Sequence, residues 1–235
     1  MIWRTQAAKH LASDVSREAC GLVVIIKGRK RYRPCRNLAL DQDFFILDPA
    51  DWAAAEDAGE IIAVVHSHPF SNSEASQADL VACERSGLPW FIYSPHSNTW
   101  NEIKPSGYKA PLVGREWVWG VTDCWSLVRD WYAEELGLEL RDWQRPVTTL
   151  EFEKHPLFDA SWNATGFQEI AVGELQYGDA ILMALDSSKL NHCAVYLGDQ
   201  LILHHIRGRL SSRDVYGGYY LKSTGRALRH SSRME

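Results

Sequence analysis

Two runs of five strictly apolar residues, LVVII at 22–26 and IIAVV at 61–65, constrain this chain more than any other feature. A bilayer-spanning helix needs roughly 18–20 such residues, so no membrane insertion is expected. Short, β-branched, unbroken runs read instead as buried strands. The segments around them alternate strand and helix signals. A short helix (5–12) precedes the strand ACGLVVII (19–26), whose hairpin partner runs to about 40. A helix follows at 48–58, with Asp48 as N-cap and Pro49 in its first position. The IIAVV strand (61–65), a helix around 74–86 and a strand WFIYS (90–94) complete this part. The stretch PSGYKAPLVG (105–114), with two prolines and two glycines, breaks the pattern. Beyond it, 124–136 is an amphipathic helix: Leu127, Val128, Trp131, Tyr132 and Leu136 share a face and Gly137 stops it. Residues 179–185, 192–197 and 200–206 read as three short strands. The expectation is an α/β (α+β) chain of two small domains, 1–104 and 115–235, joined by a linker at 105–114.

Charge excludes several functions. The net charge is −5; residues 1–110 carry 12 basic and 13 acidic side chains, leaving 13 and 17 for the rest. Neither part has the basic excess of a nucleic-acid binder. The one cationic cluster, KGRKRYRPCR at 27–36, reads as a hairpin whose charged edge discourages aggregation. Five cysteines (20, 35, 83, 124 and 193), odd in number and without a C-x-x-C, form neither a disulfide framework nor a thiolate zinc site. The first residues lack the apolar core and cleavage site of a signal peptide. Ten tryptophans suit either a ligand groove or a bulky core.

The IIAVV strand runs directly into His66-Ser67-His68-Pro69. Histidines at i and i+2 on extended chain point to the same face, which suits two ligands on one metal ion. Asp79, in the first turn of the next helix, offers an oxygen as third ligand, and three protein ligands plus water make a catalytic zinc site. Glu18, at the mouth of the first buried strand, is the best-placed acid for a general base. Ser76 to Asp79 also reads as a capping box. Together these residues resemble the JAMM metallopeptidase pattern: a glutamate, H-[ST]-H-P, seven residues to a Ser, two more to an Asp. The resemblance spans about 15–95 and implies that His66, His68 and Asp79 hold Zn²⁺. It implies too that Glu18 takes a proton from the attacking water and that Ser76 donates to the developing oxyanion. Ala75 departs from the proline that many members place before the Ser.

Thr122-Asp123-Cys124 opens the amphipathic helix, with Asp123 as N-cap. Cys124 in the first turn meets unpaired N–H groups and the helix dipole, which stabilise a thiolate; a buried structural cysteine is the alternative. His192 opens the strand HCAVYLG and can serve as its base, and His204 can orient that imidazole. This arrangement resembles the NlpC-type cysteine peptidases, which have a papain-like fold. A two-residue turn at Gly198-Asp199 pairs 192 with 205; a three-residue turn with a bulge pairs it with 204. The gap-free family spacing favours His204, with His205 in reserve. The family's D-C-[ST]-G becomes Cys124-Trp125-Ser126 here, so Trp125 is expected to narrow the groove. Trp117 stands where the family has an oxyanion-site tyrosine, keeping an N–H donor but no hydroxyl. Cys193, on the opposite face of the strand from His192, is expected in the core.

Both patterns in one short chain resemble the tail assembly proteins of lambda-like long-tailed phages. That resemblance implies synthesis in the host cytoplasm, tail tip proteins as partners and peptidoglycan stem peptides as substrate of the cysteine site. Such a chain would reach peptidoglycan through lysis or within the virion tail tip, or act as a transient assembly intermediate. A non-catalytic assembly factor and a processing protease for tail proteins stay open as alternatives.

Overall fold

The computed structural model describes residues 2–146, 149–154, 158 and 161–234. The chain forms two compact units, Met1–Lys109 and Ala110–Glu235, both mixed α and β.

The first unit is built on a five-stranded sheet of order β2-β1-β3-β4-β5. Its strands are β1 (Cys20–Ile26), β2 (Arg29–Cys35), β3 (Glu60–Ser67), β4 (Trp90–Ser94) and β5 (Thr99–Ile103). The helices are α1 (Ile2–Leu11), α2 (Pro49–Ala58) and α3 (Gln77–Ser86). The two apolar runs are apolar throughout because β1 and β3 are central and covered on both faces. Val23, Ala63 and Val65 pack with Trp3, Ala7 and Leu11 of α1. Leu22, Val24 and Val64 pack on the other side with Ala55 of α2 and Cys83 of α3. All pairings are antiparallel except β3 with β4, which α3 connects as a crossover. The cationic segment is the β1–β2 hairpin, turning at Lys27 and Gly28 (φ 50° and 72°), with Arg29, Lys30 and Arg31 exposed on an edge strand. Two details differ from the sequence expectation. Helix α1 starts at Ile2, and β5 is an additional edge strand whose half-exposed TWNEI lacks a strong alternating signal.

The second unit has a six-stranded sheet of order β10-β9-β8-β7-β11-β6. It comprises β6 (Phe167–Ile170), β7 (Ala180–Met183), β8 (His192–Tyr196), β9 (Leu201–His204), β10 (Ser212–Val215) and β11 (Thr224–His230). Helix α4 (Cys124–Leu136) lays Leu127, Val128, Trp131 and Tyr132 on Leu182, Cys193, Val195, Leu203 and Leu228. Shorter helices include α5 (Thr149–Lys154) and α6 (Gly218–Lys222). Strands β6, β10 and β11 carry no clear local pattern. β11 lies between β7 and β6 and so depends on partners distant in sequence. Among the described residues no helix is long and apolar enough to cross a membrane.

The β8–β9 register corrects both turn alternatives. Leu197 bonds Leu201 across Gly198, Asp199 and Gln200, all with positive φ, and His204 sits opposite Ala194 rather than His192. A shift of two residues preserves the face, so His192 and His204 remain diagonal neighbours on one side.

Candidate active sites

In the first unit, strand pairing assembles the site. Cys20 pairs with His66, which brings Glu18, two residues before Cys20, beside His68. Ser67, facing away from the histidines, accepts the Ala19 N–H at 2.9 Å and holds the two strand ends together. Helix α3 starts at Ser76 with a complete capping box: the Ser76 hydroxyl accepts the Asp79 N–H, and Asp79 accepts the Ser76 N–H. The capping and ligand readings of Asp79 are therefore compatible. Its Oδ1 lies 3.1 Å from His66 Nε2 and its Oδ2 3.2 Å from His68 Nε2. The two Nε2 atoms are 3.1 Å apart, and Glu18 Oε1 is 3.8 Å from His68 Nε2. All four side chains are buried.

The donor chemistry of this cluster fits a divalent cation. His68 Nδ1 lies 3.2 Å from the Asn72 carbonyl, an acceptor only, so Nδ1 carries the proton. His68 Nε2 then points at a second imidazole and a carboxylate, a convergence of donors suited to Zn²⁺. Glu18, His66 and His68 alone bring three ligand atoms within 4.8 Å of one another. Asp79 is nevertheless closer to both histidines than Glu18 is, which favours it as the carboxylate ligand. Burial and the nearby Asp79 and Asp43 charges push the Glu18 carboxyl up to about 9. Burial would raise Asp79 as well, but His66 and His68 hold it well below the usual carboxylate range. Ser76 Oγ lies 2.8 Å from Asp79 Oδ2 and donates to it, so oxyanion donation would require the hydroxyl to turn. Phe45 stacks on His66 at 4.9 Å and Trp90 meets it edge-on, walling one side.

In the second unit, Asp123 fixes the nucleophile's position. It caps α4 by accepting the Ser126 N–H at 2.9 Å, and it also accepts the Gly120 N–H at 3.1 Å. Arg145 grips the same carboxylate with two bonds of 2.9 Å. The fully buried Arg115 pairs with Asp130 of α4 at 2.7 Å and donates to the Ala110 and Pro111 carbonyls, pinning the segment that leads to Trp117.

Cys124 packs in one core cluster with Cys193 and lines a cleft together with His192. The neighbouring Cys193 thiol and His192 hold the Cys124 thiol below the usual range against the effect of burial, while burial and the facing Cys124 push Cys193 up. Cys193 is in the core, as expected, and packs in the same apolar cluster as Cys124. His192 Nε2 lies 3.1 Å from His204 Nδ1, and His204 Nε2 lies 3.1 Å from Asp214 Oδ2. The hydrogen bond to His192 is made by His204, not by His205. His205 lies just past β9, buried, and lines a cleft of about 290 Å³ shared with Cys124, His192, Asn191, Trp117 and Trp119. Trp117 stacks on Trp119 at 6.0 Å along this cleft. Trp125 differs from its expected place: it is buried in the core and lines an inner apolar chamber, because the second position of α4 faces inward.

The profile of prokaryotic homologs of the JAB domain matches residues 2–105, and that of the NlpC/P60 family matches 114–229. Tail tip assembly protein K of Escherichia phage N15 is 37% identical over 224 residues, covering 94% of this chain and 91% of its own. The protein of the same name from Escherichia phage lambda is 35% identical over 184 residues, covering 78% and 89%. The chain belongs to the tail tip assembly protein K family. Among solved structures, the NlpC/p60 domain of peptidoglycan hydrolase SagA is similar at 20% identity over 50% of this chain and 89% of its own, with a TM-score of 0.34.

Reading the sequence of this K-family member missed three contacts. Arg145 and Asp214 reach the cysteine site from distant segments, and neither belongs to a spacing pattern around Cys124 or His192. The third contact, between Cys193 and Cys124, follows from α4 packing its first turn over the start of β8. A lone aspartate in SSRDV was the only sequence sign of Asp214; the pairing of β10 with β9 turns it toward His204.

Proposed function

We propose that this chain is a phage tail tip assembly protein carrying two peptidase sites. The C-terminal one is a cysteine endopeptidase acting on peptidoglycan stem peptides, and the N-terminal one a zinc-dependent (iso)peptidase. The observation that carries the reading is Cys124, at the start of a helix, lining one cleft with His192, whose Nε2 bonds His204. His192 takes the thiol proton, and the thiolate attacks the amide carbonyl. As the C–N bond breaks, the leaving amine takes that proton from His192, and water then hydrolyses the acyl-enzyme. The N–H groups of the first turn of α4 and the indole N–H of Trp117 are the candidate oxyanion donors.

In the N-terminal unit His66, His68 and Asp79 would hold Zn²⁺, which when bound supplies Lewis-acid activation of a water and a carbonyl. Glu18, buried beside them, holds and moves the proton. Tail tip proteins are the proposed partners. The relatives' name supports that assignment, and the balanced charge of the chain argues against nucleic acid.

The test is mass spectrometry of purified peptidoglycan, and separately of co-expressed tail tip proteins, after incubation with wild type, Cys124→Ala and Asp79→Ala. Stem-peptide fragments that disappear with Cys124→Ala alone support the cysteine assignment. The same fragments from Cys124→Ala and wild type would refute the thiol mechanism. Cleavage of tail proteins but not peptidoglycan would make the chain a processing protease, and no cleavage by any form would make it a non-catalytic assembly factor.

A further inference from the structure

We propose that Asp214 is a positioning residue of the cysteine site: by dictating the tautomer of His204, it leaves His192 able to accept the Cys124 proton. The proposal rests on the reading of Cys124 as nucleophile and His192 as base.

A histidine in the third position poses a difficulty that a carboxylate or an amide oxygen does not. Neutral imidazole has one donor and one acceptor nitrogen, and either can face the base. If His204 carried its proton on Nδ1, His192 Nε2 would have to accept it. His192 would then carry its own proton on Nδ1, toward the sulfur, and could not take another. If His204 carries its proton on Nε2, its Nδ1 accepts from His192 Nε2–H at 3.1 Å and His192 Nδ1 is left with a lone pair. Asp214 selects the second arrangement, because its Oδ2 lies 3.1 Å from His204 Nε2 and a carboxylate only accepts. In the transfer the Cys124 S–H bond breaks, its electron pair stays on sulfur, and the proton goes to His192 Nδ1. The protons on His192 Nε2 and His204 Nε2 do not move.

Asp214 is itself held. Its Oδ1 accepts from the Ser212 hydroxyl at 3.1 Å, and its Oδ2 accepts from Tyr220 at 3.1 Å and Arg209 at 3.3 Å. Burial opposes its ionisation, but His204 and Ser212 hold its carboxyl below the usual range. Burial and the neighbouring His192 lower His204 to about 4, so that ring is neutral at pH 7. The groups facing Cys124 are Cys193, His192 and Asp123, and those facing His204 are His192, Asp214, Arg209 and the Tyr220 ring.

The test uses the full chain and no peptidoglycan, so its failure is distinct from a wrong substrate. The rate of iodoacetamide alkylation of Cys124 is followed from pH 4 to 9 by the mass of its peptide. Asp214→Ala is expected to move the inflection up by about one pH unit, lowering the rate about tenfold at pH 4, below both inflections, and not at all at pH 9. Asp214→Glu should recover most of that loss. Asp214→Asn, nearly isosteric and so least disruptive to folding, should shift the profile in the same direction by less. In a His204→Ala background, Asp214→Ala should have no further effect. Nitrogen-15 NMR of the wild type should find His204 protonated on Nε2. A wild-type profile in both Asp214→Ala and Asp214→Asn would overturn the proposal. So would an undiminished effect of Asp214→Ala without His204, or His204 protonated on Nδ1.

Discussion

Replacing Arg145 by methionine removes the cation from a carboxylate that has almost no contact with water. The side chains of Arg145 and Asp123 are 7% and 1% exposed and share two bonds of 2.9 Å. Breaking one side of a buried pair costs roughly 3–5 kcal/mol. Asp123 keeps the Ser126 N–H, the Ser126 hydroxyl and the Gly120 N–H as donors, so the lower end, about 3 kcal/mol, applies. At 1.36 kcal/mol per decade that is about 150-fold faster hydrogen exchange for amides in the first turns of α4. Peptides of α3, in the other unit, should exchange as in wild type. The pH dependence identifies the cause. Burial works to raise the Asp123 carboxyl, but Arg145 and Ser126 hold it below its ordinary value. A depressed folded pKa contributes stability that is present above the unfolded value, near 4, and lost as pH falls through the folded one. Without Arg145, burial raises the carboxyl instead, and its protonation relieves the variant as the pH drops. The gap between variant and wild type, compared at equal pH, should therefore be widest near pH 7 and narrow toward pH 4. A gap below about fivefold at pH 7, or one that widens in acid, would refute this account.

Four further outcomes are expected. After dialysis against zinc and removal of excess, elemental analysis should find about one Zn²⁺ per wild-type chain and close to none in His66→Ala or Asp79→Ala. Ser76→Ala breaks the capping box of α3 and should lower the stability of the first unit by about 1 kcal/mol, read from its thermal melt. A Cβ at Gly59 would stand 2.1 Å from the Ile25 carbonyl oxygen, so Gly59→Ala should destabilise the α2–β3 turn by about 2 kcal/mol or more in urea unfolding. Cys193→Ala removes a thiol packed in the same core cluster as Cys124 and should raise the pH at which Cys124 becomes reactive, with His192 still in place.

Much of both sites was legible before any coordinates. His66 and His68 lie two apart on a strand, and the period of a pleat puts them on one face whatever surrounds them. Asp79 and Ser76 are bound by the local geometry of a helix start, and so are Asp123 and Cys124. The whole of α4 follows from its stripe of Leu127, Val128, Trp131 and Tyr132, closed by Gly137, whose φ of 63° is left-handed. The sequence spacing puts His204 on the correct face even though the observed register differs by two residues, because a shift of two leaves side-chain parity unchanged.

The features that escaped the sequence reading depend on partners far along the chain. Trp125 could be assigned to a groove only until the packing of α4 turned it into the core. Glu18 was legible as a candidate from its place at the mouth of β1, but it meets His68 only because β1 and β3 pair in one register among several that apolar runs would tolerate. Asp214 meets His204 only through β10, four residues long and without an alternating signal. The sequence by itself determined the elements with strong local patterns, such as β1, β3, β4, β8 and α2 to α4, and which residue types stood at their ends. Those properties follow from steric and hydrogen-bonding rules within a few residues. Tertiary structure alone decided which ends meet, which carboxylate faces which imidazole, and which nitrogen holds the proton. Each of these depends on long-range pairing and burial, where one residue of register reverses every contact.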